Sequence, residues 1–475
     1  MMERDMAANR QPAEAFGQEM AELRQEAGAH LLAPWASAGK IGTAALDMIG
    51  DGEGIYVTDE AGRRLIDGPA GMWCVNLGHR NRELTQAMAD QAMALDYNSP
   101  WYTSSAPAVE LAGRLAGHAP GDLSHVFFTT GGSSAVETAL RFMFFYNNVK
   151  GRPEKKMIVT RDRAYHGSTY LAGSLNGRPR DQDWMDSETG RVIRLSCPDP
   201  FRRPAGMSVE AFTDGLIEEF RAAIERHGAE KIGAFVAEPV LASGGVVVPP
   251  EGYLKRMQAL CRQNDILFIS DEVVTGFGRL GSVFASGEVF GIEPDMITFA
   301  KGVTSGYFPL GGAMISARLL EDLRASNHPE AAFAHGLTYS SHPIGCAVAQ
   351  KTLDILEGGL LDEVKEKAVY FQTALKRLED HALVGEVRGM GLMACIECVA
   401  EKAGRTPLKL DLEVGKRIDR HCQERGLLVR PLIQMCVMSP PLTITTDQID
   451  RMVEILDASI RATMDDLTRD GLWRG

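Results

Sequence analysis

A carboxylate and an amine each follow a short apolar run in the middle of this chain. Residues 266–270 lead into Asp271, and residues 296–300 lead into Lys301. Short runs rich in β-branched and aromatic residues predict strands that are buried on both faces. Ligands of open α/β sheets bind at the carboxyl ends of such strands. We therefore expect Asp271 and Lys301 to lie side by side in one cleft.

A lysine amine beside a carboxylate is the pair that a pyridoxal phosphate enzyme requires. The lysine holds the cofactor as a Schiff base, and the carboxylate keeps the pyridine nitrogen protonated so that the ring accepts electrons. A desolvated amine also has a lowered pKa, which suits nucleophilic attack. Taken alone, Lys301 would more often face solvent and Asp271 could be a helix N-cap, so the hypothesis depends on the set of residues around them.

A glycine- and serine-rich turn could hold the phosphate. The predicted strand at 125–130 runs into Gly131, Gly132, Ser133 and Ser134, and a helical pattern follows. A helix N-terminus offers free backbone N–H groups and a partial positive charge, which together bind phosphate. The plainer alternative is an N-capping serine after a tight turn.

Further candidates follow other predicted strands. Tyr165 and His166 come after the run at 156–160, and an aromatic ring there could cover the face of a planar heterocycle. Glu238 ends the run at 232–238. A loop aromatic and a solvated glutamate are the plainer interpretations of these positions. Val273, two residues beyond the candidate carboxylate, would lie against the cofactor plane.

The order of these runs predicts an α/β fold. From about residue 80 to 320, helical patterns alternate with short apolar runs, which implies a largely parallel sheet with helices on both faces. Long helical patterns at 343–380 and 411–425 indicate a smaller α+β domain. We divide the chain into an N-terminal segment (1–75) that packs with the small domain, a large cofactor-binding domain (76–330) and a C-terminal small domain (331–475).

The composition argues against several kinds of partner. A net charge of -13 disfavours nucleic acid and anionic membranes, which attract basic patches. No apolar run approaches the roughly 20 residues that span a bilayer, and the acidic N-terminal stretch is unlike a secretory signal. The eight cysteines are expected to be reduced thiols of a cytoplasmic enzyme. No metal site is expected, because nothing completes the close pair Cys395 and Cys398.

In chain order, the blocks GGSSA, AYHG, AEPV, SDEVVTGFGRLG, FAKG and HGLTYSSHP resemble the signature blocks of the class III (subgroup II) pyridoxal phosphate-dependent aminotransferases. The resemblance covers most of the chain. It implies the fold-type I architecture: a large domain with a mostly parallel seven-stranded sheet flanked by helices, plus a smaller α+β domain from both chain ends. It also implies a homodimer, or a dimer of dimers, with active sites shared between subunits.

The resemblance implies roles for individual residues. Lys301 would be the Schiff-base lysine and Asp271 the partner of the pyridine nitrogen, and these two carry the catalysis. Thr338 would reach the phosphate from the partner subunit, although the sequence alone makes it a loop threonine. The block GGSSA departs from the family's SGSEA, so a hydroxyl contact at Gly131 is lost. The remaining cofactor-binding residues expected are Gly132, Ser133, Tyr165, Glu238 and Val273.

Other departures concern the substrate. Members that use glutamate as amino donor carry an arginine and a glutamate where this chain has Val437 and Ser243. Arg430 and Trp73 resemble instead the amine–pyruvate branch, the ω-transaminases, in which a mobile arginine binds the carboxylate of pyruvate. A guanidinium suits this role because it grips a carboxylate with two parallel hydrogen bonds. The substrate-binding residues expected are Trp73, Trp101, Tyr165 and Arg430.

The predicted reaction moves an amino group from an amine or ω-amino acid to pyruvate, giving alanine, with Lys301 as general acid and base. An aminomutase and a decarboxylating transaminase on the same fold are the alternatives. A pyridoxal-binding regulator without activity is disfavoured, because neither chain end shows a basic recognition helix. A nicotinamide dehydrogenase is disfavoured because the glycine-rich turn lacks the three-glycine fingerprint.

Overall fold

The computed structural model describes residues 13–43, 46–178 and 181–474. The first twelve residues of the N-terminal stretch, for which no secretory signal is expected, lie outside this description. None of the helices in the described ranges has the length and apolar character needed to cross a membrane.

The strands and helices are numbered in chain order. The strands are β1 (Ile49–Glu53), β2 (Tyr56–Asp59), β3 (Arg64–Asp67), β4 (Leu123–Thr129), β5 (Met157–Arg161), β6 (Val192–Leu195), β7 (Ile232–Ala237), β8 (Leu267–Asp271), β9 (Met296–Phe299), β10 (Gly311–Ser316), β11 (Val384–Met390), β12 (Met393–Cys398), β13 (Leu427–Leu428), β14 (Arg430–Leu432) and β15 (Met435–Met438). The helices are α1 (Ala13–His30), α2 (Ala70–Trp73), α3 (Arg82–Ala94), α4 (Ala106–His118), α5 (Gly132–Val149), α6 (Tyr170–Ser174), α7 (Val209–His227), α8 (Tyr253–Gln263), α9 (Ala285–Glu288), α10 (Ala317–Arg324), α11 (Pro343–Ile355), α12 (Leu361–Lys376), α13 (Val414–Glu424) and α14 (Thr446–Arg469).

A seven-stranded sheet forms the centre of the large domain, in the order β4-β10-β9-β8-β7-β5-β6. All its strands run the same way except β10, which pairs antiparallel with both neighbours. The predicted mostly parallel seven-stranded sheet is confirmed. Every residue of β7, β8, β9 and β10 is buried, as expected for apolar strands covered on both faces.

Helices cover both faces of this sheet. Along β7, Ala234 and Val236 join the apolar cluster of α5, whereas Phe235 and Ala237 join the cluster of α7 and α8. This alternation follows from the two-residue period of a strand. The carboxyl ends of the parallel strands are left uncovered by these layers, which places their terminal residues at one edge.

The N-terminal strands pair with the C-terminal part of the chain. β1, β2 and β3 form a sheet with β13, and Ile66 in β3 lies opposite Leu427. A second small sheet has the order β11-β12-β15-β14. The long helix predicted at 343–380 is interrupted, because Gly359 adopts a φ of 122° between α11 and α12. The domain boundaries near residues 75 and 330 remain a prediction.

Candidate active site

A cavity of about 350 Å³ lies at the carboxyl ends of the parallel strands. It brings together residues that are far apart in the sequence, as the strand order requires. The predicted site residues that line it are Gly132, Ser133, Tyr165, Glu238, Asp271, Val273, Lys301 and Arg430.

Lys301 follows β9 and opens a single 3₁₀ turn. Its φ of 49° is left-handed, a conformation that costs a non-glycine residue roughly 1–2 kcal/mol and is often found at functional sites. Burial lowers the pKa of the Lys301 amine, and the positive charge of Arg430 lowers it further, while Asp271 acts in the opposite direction. The neutral, nucleophilic amine is therefore present at a lower pH than in an exposed lysine.

Asp271 is the last residue of β8 and is buried. His166 Nδ1 lies 2.7 Å from Asp271 Oδ2, and the Val273 N–H donates to Asp271 Oδ1 at 3.1 Å. His166 is itself fixed by a backbone N–H bond of 2.8 Å to Asn176 Oδ1. These bonds hold the carboxylate in a single orientation at the cavity.

The N-terminus of α5 forms a small concave surface in the cavity wall. The helix begins at Gly132 without a side-chain cap, so its first N–H groups are available to a ligand. A Cβ on Gly132 would lie 3.0 Å from Val273 Cγ1, and only glycine fits there without displacing the valine. Ser133 Oγ accepts the Ser168 N–H at 3.0 Å, which orients that hydroxyl.

Glu238 braces the loop that carries Tyr165. The Tyr165 N–H donates to Glu238 Oε1 at 3.0 Å, and the Ala242 N–H donates to Glu238 Oε2 at 3.2 Å. Burial raises the pKa of this carboxyl group. The phenol oxygen of Tyr165 lies 3.0 Å from Ser168 Oγ, and its ring lines the cavity.

Arg430 approaches the cavity from β14, where it lies opposite Val437 of β15. Its guanidinium stands 5.7 Å from the centroid of the Trp73 ring. Trp73 is only 2% exposed and packs in an apolar cluster with Leu432, which lines the cavity, and its expected contact with the substrate stays a prediction. The neighbouring Met72 also lines the cavity.

Two predicted site residues lie apart from the cavity of this chain. Trp101 is 64% exposed, and Thr338 is also exposed. They share one surface: Tyr97 Oη donates to the Thr338 carbonyl at 3.0 Å, and a Cβ on Gly336 would lie 3.1 Å from the Trp101 ring. Within one subunit, neither side chain is brought to Lys301.

Some cavity residues were not predicted as site residues. His166 could have been found, since it belongs to the block AYHG and follows a strand, but its partner Asp271 is 105 positions away. Trp35, Met72 and Arg178 also line the cavity. They lie in irregular segments where neither periodicity nor strand ends indicate which way a side chain points.

A group of buried and half-buried charged residues, here called the inter-domain ion cluster, lies next to the cavity wall. Arg202 Nε donates to Glu397 Oε1 at 2.9 Å, and Arg388 Nε donates to the Gly245 carbonyl at 2.8 Å, so both bonds join the large domain to the second small sheet. Any Cβ on Gly245 would lie 2.9 Å from Arg388 Nη2. The cluster consists of Arg163, Asp199, Arg202, Arg388 and Glu397.

The donors and acceptors of the cavity fit pyridoxal phosphate. The start of α5 suits a phosphate, the buried carboxylate of Asp271 suits a protonated pyridine nitrogen, and the amine of Lys301 suits the aldehyde carbon. Gly132 lets the start of α5 lie close to Val273, which a larger residue would push away. The three groups line the same cavity.

Comparison with known proteins agrees with this fit. The aminotransferase class-III family model matches residues 42–460. The chain is 38% identical over 429 residues to the putrescine–pyruvate aminotransferase of Pseudomonas aeruginosa, covering 90% of this chain and 93% of that protein. It is 37% identical over 415 residues to a mitochondrial gamma-aminobutyrate transaminase of Oryza sativa subsp. indica, covering 86% and 80%.

A solved structure has the same fold as this chain. The thermostable (S)-enantioselective omega-transaminase of Thermomicrobium roseum superimposes with a TM-score of 0.89 at 40% identity, covering 94% of this chain and 99% of that one. The fold-type I architecture expected from the sequence is thus confirmed. With a family match over most of its length, the chain belongs to the class III aminotransferases, which are pyridoxal phosphate-dependent enzymes.

Proposed function

We propose that this aminotransferase moves an amino group from a primary amine or ω-amino acid to pyruvate, which yields alanine. The observation that supports this proposal most directly is the position of Arg430. It lines the same cavity as Lys301, and its positive charge lowers the pKa of the lysine. In pyruvate the carboxylate is bonded directly to the reacting carbonyl carbon. An arginine that binds this carboxylate must therefore lie near the lysine.

The residues around Arg430 support a small acceptor. Val437 occupies the place where glutamate-using members carry an arginine, and its side chain is fully buried opposite Arg430. Ser243 occupies the place of their paired glutamate and lines the cavity. Neither residue supplies the charge that those members use to recognise glutamate.

The site residues have distinct tasks in this reaction. The bound pyridoxal phosphate supplies an electron-accepting ring that stabilises negative charge on the donor carbon. Lys301, whose amine is neutral at a lower pH because of burial, removes the proton from the donor carbon and returns a proton as general acid. Asp271, oriented by His166, keeps the cofactor's pyridine nitrogen protonated.

We also propose that the enzyme is a homodimer whose partner subunit completes each site. Thr338 and Trp101 lie outside the cavity of their own chain, on a surface that also exposes Tyr97, Tyr102 and Tyr339. Aromatic residues concentrated on one exposed face are typical of protein interfaces. A second copy on this face would cover the aromatic side chains and could bring Thr338 to the neighbouring phosphate.

The proposed function is tested with the purified holoenzyme, a panel of amines and pyruvate, by measuring alanine. Lys301→Ala should abolish turnover while the protein still folds, and Arg430→Ala should raise the KM for pyruvate far more than the KM for an uncharged aldehyde. An equal loss with both acceptors would remove Arg430 from carboxylate binding. Product formed without any second substrate would favour an aminomutase instead.

A further inference from the structure

We infer that Arg178 binds a carboxylate at the end of the amine donor that is remote from the reacting nitrogen. The preferred donors would then belong to the class of ω-amino acids. This inference rests on the proposed transamination and specifies its donor. The observation behind it is that Arg178 lines the same cavity as Lys301 and Arg430.

The geometry of Arg178 leaves part of its guanidinium for a ligand. Arg178 Nε donates to Asp181 Oδ2 at 2.7 Å, and Nη2 lies 2.6 Å from the same oxygen. Among the described residues, Arg178 lines the cavity and Asp181 does not, which is consistent with a paired edge on the side away from the cavity. A guanidinium has five N–H donors in a planar fork, and the edge at Nη1 can still hold a carboxylate.

The side chain of Arg178 is held in place before any ligand arrives. Its guanidinium lies 5.2 Å from the centroid of the Tyr165 ring, and only 15% of the side chain is exposed. Together with the bond to Asp181, this contact limits its rotamers. A preorganised arginine loses less entropy when it binds a carboxylate.

The carboxylates of the described cavity lining do not compete with a substrate for Arg178. The two acids in the lining are already engaged: Asp271 by His166 and the Val273 N–H, and Glu238 by two backbone N–H groups. Pyruvate has one carboxylate, which the proposed function assigns to Arg430. A plain alkyl or arylalkyl amine has none. A donor with a terminal carboxylate would use Arg178, and pyruvate, in the other half of the reaction, would use Arg430.

The test compares two donors of equal chain length, 4-aminobutyrate and butylamine, which differ only in the terminal carboxylate. Each is mixed with holoenzyme in the absence of any acceptor, and the conversion of the bound cofactor is followed by its absorbance. The proteins are the wild type, Arg178→Met, Arg178→Lys and the control Arg191→Met. Arg191 is exposed and does not line the cavity.

Arg178→Met should reduce the second-order rate constant with 4-aminobutyrate by about tenfold to a hundredfold, the range expected when a charge-assisted hydrogen bond is lost. The rate constant with butylamine should change by less than about threefold, because no carboxylate is bound. Arg178→Lys should restore part of the difference, and Arg191→Met should resemble the wild type. The KM for pyruvate should stay the same in all three variants.

Equal losses with both donors would show that Arg178 only braces Tyr165, and would overturn the inference. An unchanged 4-aminobutyrate reaction with a raised KM for 2-oxoglutarate would assign the second carboxylate to the acceptor, and would also overturn it. A different result would contradict the proposed function, namely that the wild type forms no alanine from pyruvate with any donor. The donor comparison needs no acceptor and is decided independently of that result.

Discussion

At the scale of single residues, the site depends on how a buried acid is held. Asp271 has a histidine on one oxygen and a backbone N–H on the other. A buried carboxylate that accepts a bond on each oxygen keeps a single direction. His166 is therefore a positioning residue for Asp271. Its Nε2 is buried and has no partner among the described residues, so Asp271 provides its one side-chain bond.

His166→Ala should raise the dissociation constant of pyridoxal phosphate by roughly tenfold to a hundredfold, since a hydrogen bond to a charged group contributes about 1.5–3 kcal/mol. The constant is measured by titrating apoenzyme with the cofactor and following absorbance. His328→Ala, at an exposed position, serves as the control. An unchanged constant in His166→Ala would show that the Val273 N–H alone suffices to orient Asp271.

At the scale of elements, one antiparallel strand sets the spacing of the site. β10 lies between β4, which leads to the phosphate-binding start of α5, and β9, which leads to Lys301. A Cβ on Gly311, the first residue of β10, would lie 2.8 Å from the carbonyl oxygens of both Gly131 and Phe299. The backbones on either side approach this closely only because the residue is glycine.

Gly311→Ala should force these backbones apart and destabilise the protein by about 1–3 kcal/mol, the usual cost of overpacking. The melting temperature of the apoenzyme measures this loss, and cofactor affinity should fall with it. Gly113→Ala is a matched control in the exposed part of α4, where a Cβ meets nothing within 4 Å. If Gly311→Ala melts at or above the wild-type temperature, the close approach at β10 does not set the spacing.

At the scale of the whole molecule, the site of one chain is incomplete under the proposed function. Thr338 is exposed and lies away from the cavity, whereas the family resemblance assigns it to a phosphate. The proposed homodimer would resolve this difference by placing Thr338 at the site of the neighbouring subunit.

Thr338→Ala should weaken cofactor binding, whereas Thr373→Ala, an exposed threonine of α12, should not. The sharper measurement uses mixed dimers of Thr338→Ala and Lys301→Ala subunits. If Thr338 acts across the interface, one site of each mixed dimer has both residues and keeps wild-type cofactor affinity. Weak binding at every lysine-containing site of the mixed dimers would contradict a shared site.

The sequence predicted the site residues that follow strand ends better than the site residues that lie in loops. Asp271 and Lys301 were placed in one cleft because the ends of parallel strands meet at one edge. Trp73 was expected on the cavity wall and is almost fully buried beside Arg430, and its contact with the substrate stays a prediction. Its direction could not be read from the sequence, because α2 contains irregular backbone at Gly71 and Met72 that no periodicity reveals. Arg178 was not found for a similar reason, since it lies in a segment without regular structure.

The inter-domain ion cluster limits how this enzyme can adapt to unlike substrates. A bulky amine and a small keto acid must use the same cavity in turn, and a hinge motion would be one way to reshape it. A hinge between the large domain and the second small sheet would break the Arg202–Glu397 and Arg388–Gly245 bonds together, which disfavours it. Reshaping is then left to rotation of single side chains such as Arg430. Such rotations take picoseconds to nanoseconds at exposed positions, against microseconds or longer for domain closure. Switching between substrates should therefore not limit the rate of turnover.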